Sequence, residues 1–205
     1  MQLHAPLRTI TSALDADVLM VLARADDWFT VSRIHTLVAG RSREGIRNTL
    51  SRLREQGVID MMTIGSTHSY RLNREHLASD AILQLADLQR SFHERLRGAL
   101  ASWEPRPHFA ALFGSAARGR MDPGSDIDLF LLHPGAEASE WDDAVDDLVA
   151  TASRWTGNPV HPLVLTAEEA RGAAHTEPVL ADISNHGIPL VGNMSAFRRL
   201  IGRAR

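Results

Sequence analysis

The stretch HFAALFGSAARGRMDPGSDIDLFLL, residues 108–132, decides the reading of the chain. Phe109 to Phe113 has the length and apolar composition of a buried strand. Gly114 and Ser115 follow at its end, and the next few residues, to about Arg120, can close one turn of helix. Glycine lets the backbone approach a ligand, and Ser115 adds a hydroxyl beside free amides, an arrangement suited to phosphate. Pro123 and Gly124 turn the chain back, and Asp126 to Leu132 reads as a second strand. Residues two apart on a strand point the same way, so Asp126 and Asp128 face one side while Ile127 and Leu129 pack inward. Two adjacent carboxylates repel unless a cation lies between them, and hard oxygen donors with room for phosphate suit magnesium.

A Gly-Ser turn ten residues ahead of an Asp-x-Asp pair resembles the nucleotidyltransferases related to DNA polymerase β. Gly114, Ser115, Asp126 and Asp128 meet the pattern of their minimal form, and Ala116–Gly119 extends it as A-A-R-G. The resemblance covers about residues 107–193 and implies an α/β (α+β) fold with a mixed sheet flanked by helices. It implies transfer of a nucleoside monophosphate from an NTP, with ATP the most abundant choice, to an acceptor hydroxyl with release of pyrophosphate. Asp126 and Asp128 would hold two Mg2+ ions, for which Mn2+ can substitute. Gly114 and Ser115 would hold the outer phosphates, with Arg118 as a further contact. The acceptor is left open among protein, RNA and a small molecule, since minimal members act as antitoxins and relatives modify tRNA ends or antibiotics.

Active relatives carry a third carboxylate on the strand next to the Asp-x-Asp strand. Here that strand, Pro159 to Leu165, contains no acid, and His161 stands in the place. Histidine can take a proton near neutral pH, whereas imidazole is a poor replacement for an oxygen ligand of magnesium. His161 is therefore read either as the base that accepts the acceptor's proton or as an ordinary strand-edge residue of a weakened transferase.

The remainder of this half fits the same architecture. Trp141, Val145, Leu148 and Val149 mark the inner side of a helix over about 138–156, with Asp142, Asp143, Asp146 and Asp147 on a solvated face. Thr166 to Glu169 is a capping box that opens another helix. Residues 188–191 read as a last strand, followed by a helix from about Ser195.

Toward the N-terminus the pattern changes. Leu14, Val18, Val21 and Leu22 predict a helix near 13–24, capped by Ser12. Thr30 caps a short helix containing Val31, Ile34 and Leu37. Ser42 caps a third, with Ile46, Leu50 and Leu53 inward and Gly57 closing it. Two strands follow over about 58–64 and 69–72, joined by a turn at 65–68. This order resembles a bacterial winged helix-turn-helix over roughly 12–73. The resemblance implies binding of double-stranded DNA through Arg41, Ser42, Arg43, Arg47 and Asn48 on the third helix, with Arg71 and Arg74 beside the wing. The alternative is a module that docks a protein or forms a dimer.

Leu77, Ala81, Leu85, Leu88, Phe92, Leu96, Ala99 and Trp103 predict one long linking helix. Its stripe must be buried on the chain's own domains or on a second copy, and a homodimer is expected, as for winged-helix proteins that read two-fold sites. The expected domains are 1–73, 74–104 and 105–205, with Glu104–Pro107 ending the helix.

Composition narrows the chemistry. The 205 residues contain no Cys and no Lys, so all 22 basic residues are Arg. That excludes disulfides, thiolate centres, Schiff-base enzymes and a Walker-type phosphate loop. Residues 33–74 carry 8 Arg and 3 acids, a local charge of +5 within a chain of net −3, which points to an anionic partner. Absence of a membrane-length apolar run or a secretion signal leads to an expected cytoplasmic location with no membrane partner. Two functions follow: a magnesium-dependent nucleotidyltransferase coupled to DNA binding, or a transcription regulator whose transferase half is weak or dead and serves nucleotide or partner binding.

Overall fold

A computed structural model describes all residues except 12, 136–138, 175 and 203–205. The expected cap Ser12 lies outside the described residues. The chain folds into two compact units, one of Gln2 with 4–89 and one of Met1 and Leu3 with 90–205.

The first unit starts with a 3-10 turn, Pro6–Thr9, followed by α1 (Ala13–Arg24), β1 (Phe29–Thr30), α2 (Val31–Leu37) and α3 (Arg43–Glu55). Side chains start both α2 and α3. Thr30 accepts from the Arg33 amide at 3.2 Å and Ser42 from the Gly45 amide at 3.1 Å. Gly57 takes φ +73° just after α3, a conformation costly for any residue with a Cβ. A hairpin of β2 (Ile59–Ile64) and β3 (Thr67–Leu72) follows, and its turn is tighter than expected, with Ile64 already paired to Thr67. The two-residue β1 was not expected. It adds a third strand by pairing Phe29 with Tyr70, which buries Phe29 in the unit's core with Val18, Leu22, Ile34, Ile46 and Leu50.

The helix expected over 74–103 is not continuous. Residues 74–78 form turns, and two helices follow, α4 (Ser79–Ala86) and α5 (Leu88–Ala101), separated at Asp87. The apolar stripe explains the break, because it serves two cores. Ile82, Leu83 and Leu85 of α4 pack on the first unit's core, and Phe92, Leu96 and Leu100 of α5 on the second unit's core. Most of the stripe is thus covered within the chain, although Leu77 is fully exposed.

The second unit is built on a mixed four-stranded sheet. Its strands are β4 (Phe109–Phe113), β5 (Ile127–Leu132), β6 (Val160–Leu165) and β7 (Ile188–Val191), in the order β6-β5-β4-β7. β4 runs antiparallel to both β5 and β7, and β5 pairs in parallel with β6. A single helical turn, α6 (Gly114–Ala117), follows β4. Ile127, Leu129 and Leu131 share one face with α5 and with Trp141, Val145 and Leu148 of α7 (Ser139–Thr156). Phe130 and Leu132 share the other face with side chains from three helices: α8 (Ala167–Ala173), α9 (Pro178–His186) and α10 (Met194–Ile201). Thr166 and Glu169 form the capping box of α8, and Asn193 caps α10. The four acids of α7, residues 142, 143, 146 and 147, are exposed as a solvated helix face. Among the described residues, no helix is long and apolar enough to cross a membrane.

Candidate active site

β4 delivers the chain to Gly114, where φ is +65°. The helical turn α6 then carries Ser115 to the rim of an open cleft of about 640 Å3. Glycine is required here for two reasons. The positive φ is one, and the neighbour is the other: a Cβ at position 114 would fall on the carboxylate of Asp128. The Gly-Ser turn and the second aspartate of the pair are therefore in contact through bare backbone.

Asp128 sits in β5 opposite Phe113 of β4 and beside His161 of β6. It shares its face with Phe130 and Leu132, whereas its neighbours Ile127 and Leu129 are buried on the opposite side. Burial raises the Asp128 carboxyl above its ordinary value. Asp126 and Asp182 add to the rise, and His161 and Arg118 oppose it. Burial is the main cause, and the charge of Asp126 is a smaller one. Asp126 lies just before β5, and its Oδ2 is 3.6 Å from Nδ1 of His161.

His161 is largely exposed on the edge strand and is the register partner of Asp128. Glu168 and Glu169 belong to α8, and Glu169 is engaged with Thr166. Arg118 lines the cleft and is tied to Asp182 of α9 by a short ion pair. His186 also lines the cleft, and its Nδ1 lies 3.0 Å from the same Asp182 oxygen. Sequence reasoning missed both α9 residues. Pro178 at the first turn, followed by Val179, Leu180 and Ile183 at helical spacing, was the available signal for this helix.

Residues 93–171 match the nucleotidyltransferase domain family. The matched stretch includes the Gly-Ser turn and the two aspartates. Two solved structures are similar to the chain. One is a toxin-antitoxin with AMP-PNP, at 16% identity and a TM-score of 0.41, covering 54% of this chain and 82% of that one. The other is a mutant of the toxin-antitoxin MntA-HpeT, at 13% identity and a TM-score of 0.40, covering 54% of this chain and 81% of that one. No curated protein matches the chain.

The donor set of the second unit fits a hard divalent cation. Two carboxylates act on one another electrostatically, one of them half-buried, and the imidazole beside them, His161, is exposed. Among the described residues no group of three or more His, Asp or Glu side chains is arranged to hold a metal ion. A cation bound here would complete its shell with oxygens from a ligand or water.

The residues expected to touch DNA are arranged differently from one another. Arg43, Arg47 and Asn48 are exposed on α3, and Ser42 is engaged as the cap. Arg41 is turned to Asp17 of α1, 2.9 Å away, where Arg8 also binds. Arg71 contacts Asp60 at 3.1 Å and stacks over the Trp28 ring, while Arg74 lies 3.9 Å from Asp26. Asp15 takes Arg52 at 2.6 Å and Asp27 takes Arg33 at 3.3 Å. The local excess of charge is therefore largely met by acids from α1 and the loop after it, outside the window in which it was counted.

Proposed function

We propose that the protein transfers a nucleoside monophosphate from an NTP to an acceptor hydroxyl. The observation that carries this reading is the contact of Gly114 with Asp128, which sets the Gly-Ser turn against the carboxylate pair. Ser115 and Arg118 on the adjoining cleft supply a hydroxyl and a guanidinium for the outer phosphates. Asp126 and Asp128 would hold two Mg2+ ions, or Mn2+ in their place. When bound, the metal neutralises charge that builds on the α-phosphate. In the reaction the acceptor oxygen bonds to the α-phosphorus, the bond to the β-phosphate oxygen breaks, and pyrophosphate leaves. His161, beside both aspartates, is positioned to take the acceptor's proton. ATP is the proposed donor on abundance, and the acceptor class is protein, RNA or a small molecule. This activity needs an NTP-rich compartment, which is the cytoplasm.

For the first unit we propose a winged helix-turn-helix that binds double-stranded DNA. Support comes from the order α1, α2, α3 and a hairpin, and from the exposed Arg43, Arg47 and Asn48 on α3. A homodimer would let two such units read a two-fold site.

One observation favours a second reading. The register partner of Asp128 is His161 and not an acid, where the resemblance implies a further carboxylate for the metal. Under this reading the transferase half is weak or inactive, and the protein is a regulator that binds a nucleotide or a partner. Incubation of the full chain with each labelled NTP and magnesium, with and without cell lysate, tests the choice. Labelled product and pyrophosphate support the transferase, whereas NTP binding without either supports the regulator.

A further inference from the structure

Helix α9 brings His186 to the cleft and Asp182 to the Arg118 that lines it, two side chains outside the Gly-Ser and Asp-x-Asp motif. Asp182 accepts a hydrogen bond from one terminal nitrogen of Arg118 and lies 3.0 Å from Nδ1 of His186, one helical turn further on. Ser115, Ala117, Arg118, Arg120 and His186 line the same cleft. Arg118 reaches Asp182 through one corner of its guanidinium, so the rest of the fork remains to serve a second anion. Asp182 is itself the more enclosed partner, with its side chain 22% exposed against 39% for Arg118.

We propose that Asp182 and His186 belong to the nucleotide site: Asp182 holds Arg118 and His186 side by side on the cleft wall, and these two receive the outer phosphates of a triphosphate. The inference rests on the nucleotidyl-transfer reading and extends its binding site to α9. Asp182 is a positioning residue. A carboxylate close to a polyanion opposes binding by its charge, and it contributes here by fixing two otherwise free side chains before the ligand arrives. His186 is a direct phosphate contact, opposite Ser115 in function and supplied by a different element.

The charge and the positioning effect of Asp182 have opposite signs, so binding can separate them. The probe is inorganic tripolyphosphate without metal, titrated calorimetrically into the full chain at low salt. Wild type is expected to bind it, and His186→Ala to bind about five- to tenfold more weakly, the size of one partly exposed charge-assisted hydrogen bond. His186→Gln keeps the bond to Asp182 without the imidazole and should fall between the two. Asp182→Asn should also weaken binding although it removes a negative charge, and for these variants KM for NTP should rise with little change in kcat. Tighter binding by Asp182→Asn would show that the carboxylate competes with the ligand and would overturn the inference. Unchanged affinity in the α9 variants, or no binding by wild type, would overturn it as well. Nucleotide transfer with KM unaltered in these variants removes α9 from the site and leaves the transfer reading standing. Tripolyphosphate binding with the expected losses but no transfer does the reverse.

Discussion

His161 and Asp128 are register partners across the parallel pair β5 and β6, so the imidazole stands beside the carboxylate pair. The pairing places the only chemistry-bearing side chain of β6 next to the second aspartate of the motif, where its charge state can matter to the reaction. If His161 is the base, His161→Ala should lower nucleotide transfer by about 100-fold or more, the usual contribution of a general base. If His161→Asp instead creates transfer in an inert wild type, the chain is a decayed transferase retained for binding. Equal rates in all three across pH 5.5 to 9 would remove position 161 from the reaction (a range of roughly this width brackets an imidazole).

The raised Asp128 carboxyl makes a statement about metal-free stability. A folded-state value above the unfolded one favours the folded protein while the group is protonated. That advantage is lost as pH rises from about 3.9 through the raised value. Asp128→Asn should therefore melt above wild type at neutral pH, by an amount on the order of one degree since the group is half-exposed, and the two should converge toward pH 4. Addition of NTP with magnesium should reverse the order, raising the melting temperature of wild type and leaving that of Asp128→Asn unmoved. An equal gain in both would remove Asp128 from the metal site.

Gly114→Ala should damage the site and the fold together. A left-handed Ala costs about 1–2 kcal/mol, and its methyl group would displace the Asp128 carboxylate. Thermal melting should show the loss, and the stabilisation by NTP should vanish. A variant that keeps the NTP-dependent gain would show that the Gly-Ser turn and Asp128 act separately.

Arg41 and Arg43 are two positions apart and should behave as different kinds of residue. Arg41→Ala takes one of two guanidinium partners from Asp17, whose side chain is only 10% exposed, and should lower stability by about 1 kcal/mol. Arg43→Ala and Arg47→Ala should leave melting unchanged and weaken binding to duplex from upstream of the protein's own gene, with a steep fall in affinity as salt rises. A filter or anisotropy assay at several salt concentrations reads this directly. No binding of any duplex at low salt would make the first unit a docking or dimer module.

Local features of the chain were legible in its sequence because short-range physics sets them. Thr30, Ser42 and Thr166 start helices through bonds to amides three residues away, and Gly57 and Gly114 accept a backbone conformation that other residues avoid. The alternation across Asp126, Ile127 and Asp128 predicted which side chains share a face, and the resemblance singled out His161 on the neighbouring strand, which the observed register sets beside Asp128. Long-range packing decided the rest. A single periodic stripe over 74–103 could not show that Leu83 and Leu96 belong to different cores, and the chain breaks at Asp87 to serve both. A window charge of +5 could not show that Asp15, Asp17, Asp26 and Asp27 would come to meet it. Asp182 and His186 lie 64 and 68 residues beyond Arg118, and they meet Arg118 and its cleft only because Leu180 and Ile183 seat α9 on the same sheet face as Asp128. Burial of apolar surface is indifferent to distance along the chain, so the sequence determined the turns, the caps and the carboxylate pair, and the tertiary structure chose what surrounds them.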